Sequence, residues 1–279
     1  MQLFSRQCGL SFTLHGLRPY TVMEHSISQL ITNENLLIST YLALTLSTWS
    51  SSSIIDLRTL SSHGKTFESK DGFVSLALPK QWFLHFYLVG IFSIVVLAVF
   101  MDSTTISYAA PFVVMQVLRR CYECLYIHAW RPDSKMYLPA YAVGLLHYIL
   151  LPWNLVISSA KLTHSATLYI LGAMLCVYAQ YQQHLHHCLL AKLREGQSSN
   201  HYLLPAGGWF ERIGSPQYLA EILIYTGFLL MLQTKGAAAL LLWVASNQTL
   251  NSWRTHKWYL DQFEDYKKQN RKALIPFLF

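Results

Sequence analysis

The chain has 279 residues, of which 53% are hydrophobic and only 13% charged, about half the ~25% charged content of a soluble domain. That composition excludes an ordinary water-facing surface and points to the lipid bilayer as solvent. The net charge of +7 does not indicate nucleic acid, because the basic residues flank apolar segments instead of forming a stripe interleaved with aromatics.

Residues 1–35 are read as a lumenal N-terminal segment and 36–279 as one membrane domain with a cytosolic tail. Met1 to Tyr20 mixes Arg6, Cys8, His15 and Arg18 with no sustained apolar core, so no cleavable signal peptide is expected. Leu36 to Ser53 is free of charge and rich in Ser and Thr, at about the minimum length for a crossing. Asp56 to Lys80 is a polar loop with turn signals at His63-Gly64 and Asp71-Gly72, suited either to closing over a site or to plain connection. Trp82 to Met101 is a second span. Thr104 to His128 is a third, carrying Arg119, Arg120 and Glu123. A charge at mid-membrane costs roughly 2.5–3.5 kcal/mol, so these residues face a bundle interior, a wet cavity or the headgroups. Arg119 and Glu123 are spaced for an internal ion pair and Arg120 for snorkelling.

Tyr137 to Ala160 and Ala166 to Tyr181 make two further spans, joined by the turn Lys161 to Ser165. Gln182 to Pro216 reads as a long polar loop holding His184, His186, His187, Arg194 and Gly207-Gly208. Gln217 to Gln233 and Gly236 to Trp253 then form a helical hairpin with Glu221 near its start. The expectation is an all-α integral membrane protein with seven transmembrane helices. With a cytosolic C-terminus, only Arg6, Arg18, Lys161 and Lys235 fall on the opposite side, as the positive-inside rule requires.

Five cysteines, an odd number lying mostly in apolar segments, imply no disulfide framework. Cys121-x-x-Cys124 is weighed as a redox pair, and small-residue packing is preferred. His184-x-His186-His187 invites a metal, but no carboxylate at supporting spacing accompanies it, so amphipathic loop histidines are expected and no metal is assigned. No P-loop or Gly-x-Gly-x-x-Gly turn is present. A cofactor must therefore be gripped by the bundle. The candidates are Arg119 and Arg194 for phosphates, whose planar forks bind oxygens in pairs; Gln217, Asn247 and Asn251 for amide or ribose; and Glu221, His256 and Tyr259 near a reactive ring. His256 and Tyr259, three apart at the end of the last span, occupy neighbouring positions of one face and are expected to serve one ligand. The run Lys267, Lys268, Arg271, Lys272 is expected to face water ahead of an apolar plug, Ile275 to Phe279.

His256-x-x-Tyr259, Phe263-Glu-Asp-Tyr266 and Arg271-Lys-Ala-Leu-Ile-Pro-Phe277 together resemble the C-terminal signature of the steroid 5-alpha-reductase family. Pro205-Ala-Gly-Gly-Trp-Phe210 and Ser215-Pro-Gln-Tyr-Leu-Ala-Glu221 resemble a second block of it. Gln116-Val-Leu-Arg-Arg-Cys-Tyr-Glu123 is similar to its polyprenal reductase branch in dolichol synthesis. The resemblance runs in order from about Phe112 to Phe279. It implies a seven-helix fold in the endoplasmic reticulum membrane that reduces a carbon–carbon double bond conjugated to a carbonyl, with NADPH as cofactor and a long-chain isoprenoid as substrate. It also implies roles: Arg194 and Tyr202 at the adenosine phosphate end, Gln217 at a position where steroid reductases carry asparagine, Glu221 near the nicotinamide amide, and Tyr259 and His256 on the last helix. Two departures stand out. Leu203 replaces an arginine, and Gln116 replaces a tyrosine that is catalytic in steroid reductases, which disfavours steroid activity. Steroid or enoyl-thioester reduction and non-catalytic isoprenoid or sterol binding remain alternatives. In the expected mechanism His256 or Tyr259 stabilises the enolate oxygen. The aldehyde is the expected substrate, because an allylic alcohol offers no electron sink.

Overall fold

In the computed structural model the described residues are 33–53, 77–100, 108–131, 134–159, 165–195 and 202–276. Expectations for residues 1–32, most of the 56–80 loop, the 161–164 turn and the terminal 277–279 lie outside them. The described elements fall in one unit, Glu34–Phe279.

Helix α1 (Glu34–Ser53) is charge-free after its first residue. Its hydroxyls at Ser39, Thr40, Thr45, Ser47 and Thr48 bond back to carbonyls three or four residues earlier at 2.7–2.9 Å. Such back-bonding satisfies the hydroxyls within the helix itself. A short strand, β1 (Ala77–Pro79), leads through the 3-10 turn Lys80–Trp82 into α2 (Phe83–Phe100). Together Lys80–Phe100 form the one helix among the described residues that is both long and apolar enough to cross a bilayer. It buries Phe86, Tyr87, Gly90, Ser93 and Leu97 and exposes Leu88, Phe92, Val95 and Val99.

The span expected over Thr104 to His128 is observed as α3 (Ala110–Tyr122), continued by a π-helical turn, Glu123–Ile127. That wider turn begins at the buried acid, a common placement for a π-turn at a functional residue. Next comes β2 (Lys135–Tyr137), which pairs antiparallel with β1, Leu78 opposite Met136. The described residues are mostly helical, as expected, with this short ribbon added. Three-residue strands are too short to carry a period-2 signal, and only their pairing makes them visible.

Helix α4 (Leu138–Ser159) matches its span, whereas α5 (Ala166–Lys192) runs eleven residues past the expected end at Tyr181. The polar stretch from Gln182 is therefore helix, not loop. Its Gln183, His186 and His187 are buried, so its polarity serves partners inside the fold. Helix α5 packs most extensively on α6 (Pro216–Leu232). A Cβ added at Gly172 would stand 2.7 Å from the Gly227 carbonyl oxygen, and one at Gly227 2.7 Å from that of Gly172. Only paired glycines permit so close a crossing.

Helix α7 (Lys235–Gln262) outruns its expected end at Trp253 and starts at an N-cap, Thr234, whose hydroxyl accepts from the Ala237 amide at 3.2 Å. A short α8 (Glu264–Lys268) follows. Lys272 then pairs with Ile213 in a parallel bridge, and Arg271 is buried, donating to the Pro205 carbonyl at 2.6 Å. The basic run expected to face water is thus split. Lys267 and Lys268 lie outside, on Glu264 and Asp265, while Arg271 ties the tail to the loop before α6.

Candidate active site

Four segments each send one cation into a cavity of about 250 Å³: Lys80 after β1, Arg120 on α3, Arg131 before β2, and Arg194 just past α5. No aspartate or glutamate among the described residues lines it. Arg194 donates to the Ala129 carbonyl at 3.0 Å, and Arg131 lies 4.1 Å over the ring of Tyr202, which meets Trp258 edge-on at 4.9 Å. Burial pushes the Arg194 guanidinium below its usual pKa, and the charge of Arg131 acts in the same direction. Like charges drawn together in a lining that holds no carboxylate make a site that favours an anion. Tyr259 and Asn251 of α7 and Gln217 of α6 complete the wall.

A second cavity, of about 630 Å³, adjoins the first. That volume is within the usual ~300–1,000 Å³ of a small-molecule site. Its walls are largely apolar: Phe83 and Phe86 of α2, Met136, Val143 and Gly144 at and after β2, and Trp243, Val244 and Leu250 of α7. Gly144 has no room for a Cβ, which would sit 2.6 Å from the Phe86 ring. Phe83, Arg120, His187, Gln217, Tyr218 and Asn251 line both cavities. They form the junction, and Tyr87, Gln183 and Glu221 stand on its apolar side.

Behind the junction lies a buried charge network. Glu123 is fully buried and receives Arg119, Arg120 at 2.5 Å, His184 Nδ1 at 2.9 Å and His187 Nδ1 at 2.7 Å. Arg119 also donates to Gln116 at 2.6 Å and to Gln183, which in turn donates to Glu221. Arg120 extends its other nitrogen to the Tyr87 hydroxyl at 2.8 Å. A carboxylate so deeply placed requires this many donors, because an uncompensated buried charge costs several kcal/mol.

The expected ligand-binding residues are spread over both cavities, with Gln217 and Asn251 at the junction. Arg194, Tyr202, Gln217, Asn251 and Tyr259 line the cationic cavity, and Glu221 lines the apolar one. Arg119 lines neither, since its fork is taken by Glu123, Gln116 and Gln183. The phosphate role expected of it therefore has no cavity-facing group behind it, whereas Arg120, a helical step of about 100° away, lines both cavities. Arg120 is not a snorkelling residue either. His256 also lines neither cavity. Its Nδ1 is 2.7 Å from the Tyr266 hydroxyl, its ring stacks on Trp253 at 5.9 Å, and burial and Lys272 push its pKa down. Three residues on a helix leave about 60° between side chains, enough to send Tyr259 inward and His256 toward α8. His256 and Tyr259, expected to serve one ligand, do not share a cavity wall.

The histidines are not loop residues. His184 and His187 hold Glu123. His186 accepts from the Trp209 amide at 3.2 Å, beside the turn where Gly207 and Gly208 adopt φ of 89° and 55°, a region that favours glycine. The carboxylate missing from their sequence neighbourhood is Glu123, some sixty positions away. Donor atoms of Glu123, His128 and His187 lie within 4.8 Å of one another. The two guanidiniums on Glu123 would oppose a metal cation there. Sequence reading missed Lys80, Arg131, Tyr87 and His187. For Tyr87 and His187 a signal existed, since each is a polar group on the buried face of a helix.

The cationic lining suits a phosphate-bearing ligand, and the residues common to both cavities join it to the apolar one. A family model described as 3-oxo-5-alpha-steroid 4-dehydrogenase matches residues 136–279. A Drosophila melanogaster protein named polyprenal reductase is 32% identical over 255 residues, covering 73% of this chain and 77% of its own length. The Caenorhabditis elegans polyprenal reductase is 30% identical over 274 residues, covering 78% and 86%. Polyprenal reductase 1 of Oryza sativa subsp. indica is 27% identical over 315 residues, covering 80% and 88%. With its motif blocks carried on a helical bundle around two joined cavities, the chain belongs to the steroid 5-alpha-reductase family.

Proposed function

We propose that this protein is an NADPH-dependent oxidoreductase that reduces the alpha,beta double bond of polyprenal, so that polyprenol is converted overall to dolichol for protein N-glycosylation. The observation that carries the reading is the junction itself, where a cavity lined by four cations and no carboxylate meets a larger apolar one. NADPH supplies the hydride. Arg194, Arg131, Lys80 and Arg120 are the residues suited to its phosphates, with Asn251, Gln217 and Glu221 suited to its polar ring groups. The apolar cavity takes the isoprenoid end, where a dipole on its largely apolar wall acts in a lower dielectric than bulk water. The names of the relatives support polyprenal over a steroid. So does Gln116, which is buried with its side-chain oxygen on Arg119 and offers no phenol to a substrate. The reading includes seven membrane spans, a cytosolic C-terminus and residence in the endoplasmic reticulum, supported by the basic residues of the loops and tail.

Purified protein in detergent with NADPH and a long-chain polyprenal is expected to yield the saturated aldehyde. Turnover of a 3-oxo-4-ene steroid with none of the aldehyde would overturn the assignment.

A further inference from the structure

Of the two oxyanion donors expected on α7, neither lines the apolar cavity. Tyr259 lines only the cationic cavity and His256 lines neither. We propose instead that Tyr87 is the catalytic hydrogen-bond donor, its phenol held at the wall of the apolar cavity by Arg120. This rests on the polyprenal reductase reading.

The argument begins on α2, where a tyrosine hydroxyl on the buried face of an otherwise apolar helix needs a partner. Tyr87 is 3% exposed, and its oxygen accepts from Arg120 at 2.8 Å. A phenol oxygen that accepts from a guanidinium keeps its own hydrogen to donate elsewhere. Donation to a cation-bound oxygen is also polarised, because successive hydrogen bonds reinforce one another. The other neighbour of the hydroxyl is the thiol of Cys124, a weak acceptor that a charged ligand oxygen displaces. Arg120 is itself fixed by Glu123 from behind. The donor is therefore preorganised, with Glu123 orienting Arg120 and Arg120 orienting Tyr87. Both Arg120 and Tyr87 line the apolar cavity, Arg120 at the junction.

The chemistry balances as follows. The hydride would come from a carbon–hydrogen bond of NADPH that breaks to leave NADP+, and its electron pair would form the new carbon–hydrogen bond at the beta carbon, while the double-bond pair shifts between the alpha and carbonyl carbons and the carbonyl pair moves onto oxygen to make the enolate. Its oxygen receives the Tyr87 hydrogen bond. The alpha carbon then takes one proton, drawn from solvent, as the carbonyl re-forms, and Tyr87 ends unchanged. The hydrogen bond strengthens as negative charge accumulates on the oxygen, so the donor lowers the barrier more than it tightens the ground state.

The test uses Tyr87→Phe in the full chain, with two readouts. Turnover of polyprenal is expected to fall by about a hundred- to a thousandfold, the loss typical of one oxyanion donor, while thermal stabilisation by NADPH stays at the wild-type level. Affinity for a long-chain isoprenoid carboxylic acid, whose fixed negative charge stands in for the enolate oxygen, is expected to fall about tenfold or more, as for a lost bond to a charged group. Unchanged affinity for the acid overturns the inference even if turnover falls. Should Tyr87→Phe lose its stabilisation by NADPH, 3-fluorotyrosine incorporated in place of Tyr87 gives a near-isosteric, more acidic phenol. It should bind the acid more tightly, and equal affinity overturns the proposal. A wild-type protein that reduces polyprenal beside an equally active Tyr87→Phe refutes the donor alone. No wild-type reduction of polyprenal removes the functional reading and the donor with it.

Discussion

Two polar clusters in this molecule look alike in sequence and behave differently in space. One, on α3 and α5, gathers Arg119, Arg120, Glu123, His184 and His187 around a fully buried carboxylate and turns Arg120 and His187 into both cavities. The other, on α7 and α8, gathers Trp253, His256 and Tyr266. It shares a helix with Tyr259 and Asn251 yet turns its own polar groups away from the cavities. Density of polar residues at a membrane mouth therefore does not mark a catalytic centre. The direction in which a rigid neighbour holds them does.

Removing the buried charge of the first cluster breaks the comparison most severely. Glu123→Gln leaves two guanidiniums without their counter-ion and is expected to destabilise the fold by about 3–5 kcal/mol, read as a loss of folded protein and a lower unfolding temperature. A fold of wild-type stability would mean that the cluster is not structural. Arg194→Ala acts on the cavity instead of the fold. Loss of a charged hydrogen bond of roughly 1.5–3 kcal/mol should raise the KM for NADPH about ten- to a hundredfold with kcat little changed, because a remote anchor binds ground and transition states alike. A defect confined to kcat would place Arg194 elsewhere in the mechanism. His256→Ala should have the smallest effect. It removes a bond to Tyr266, a modest loss of stability of about 1 kcal/mol, and turnover should stay within about twofold of wild type. A hundredfold loss would return His256 to the oxyanion role and make the two clusters functional equals.

Several of the residues that line the two cavities were legible in the sequence because their chemistry is written in residue type. A glutamate near the start of an apolar helix, an arginine after a polar stretch and amides at a helix exit announced Glu221, Arg194, Gln217 and Asn251. The Arg119–Glu123 ion pair followed from spacing alone, since positions four apart on a helix must meet. What spacing could not supply was the choice between adjacent residues. Arg119 and Arg120 are chemically identical, and only the packing of α3 against α5 and α2 decides which one faces Gln183 and which faces Tyr87. The same holds for His256 and Tyr259.

Composition and apolar runs by themselves determined that the chain is helical, hostile to water and organised around polar groups at helix ends, because each of those properties is local or additive along the chain. The helical path of Gln182 to Lys192, the β1–β2 ribbon, the burial of Arg271 and the meeting of four cations from four segments belong to the tertiary structure alone. Each depends on residues distant in sequence. Glu123 makes His187 a core residue, Met136 makes Leu78 a strand residue, and Pro205 makes Arg271 a tether. A polar side chain goes inside only when the fold brings it a partner, and where that partner lies is decided by how the helices cross.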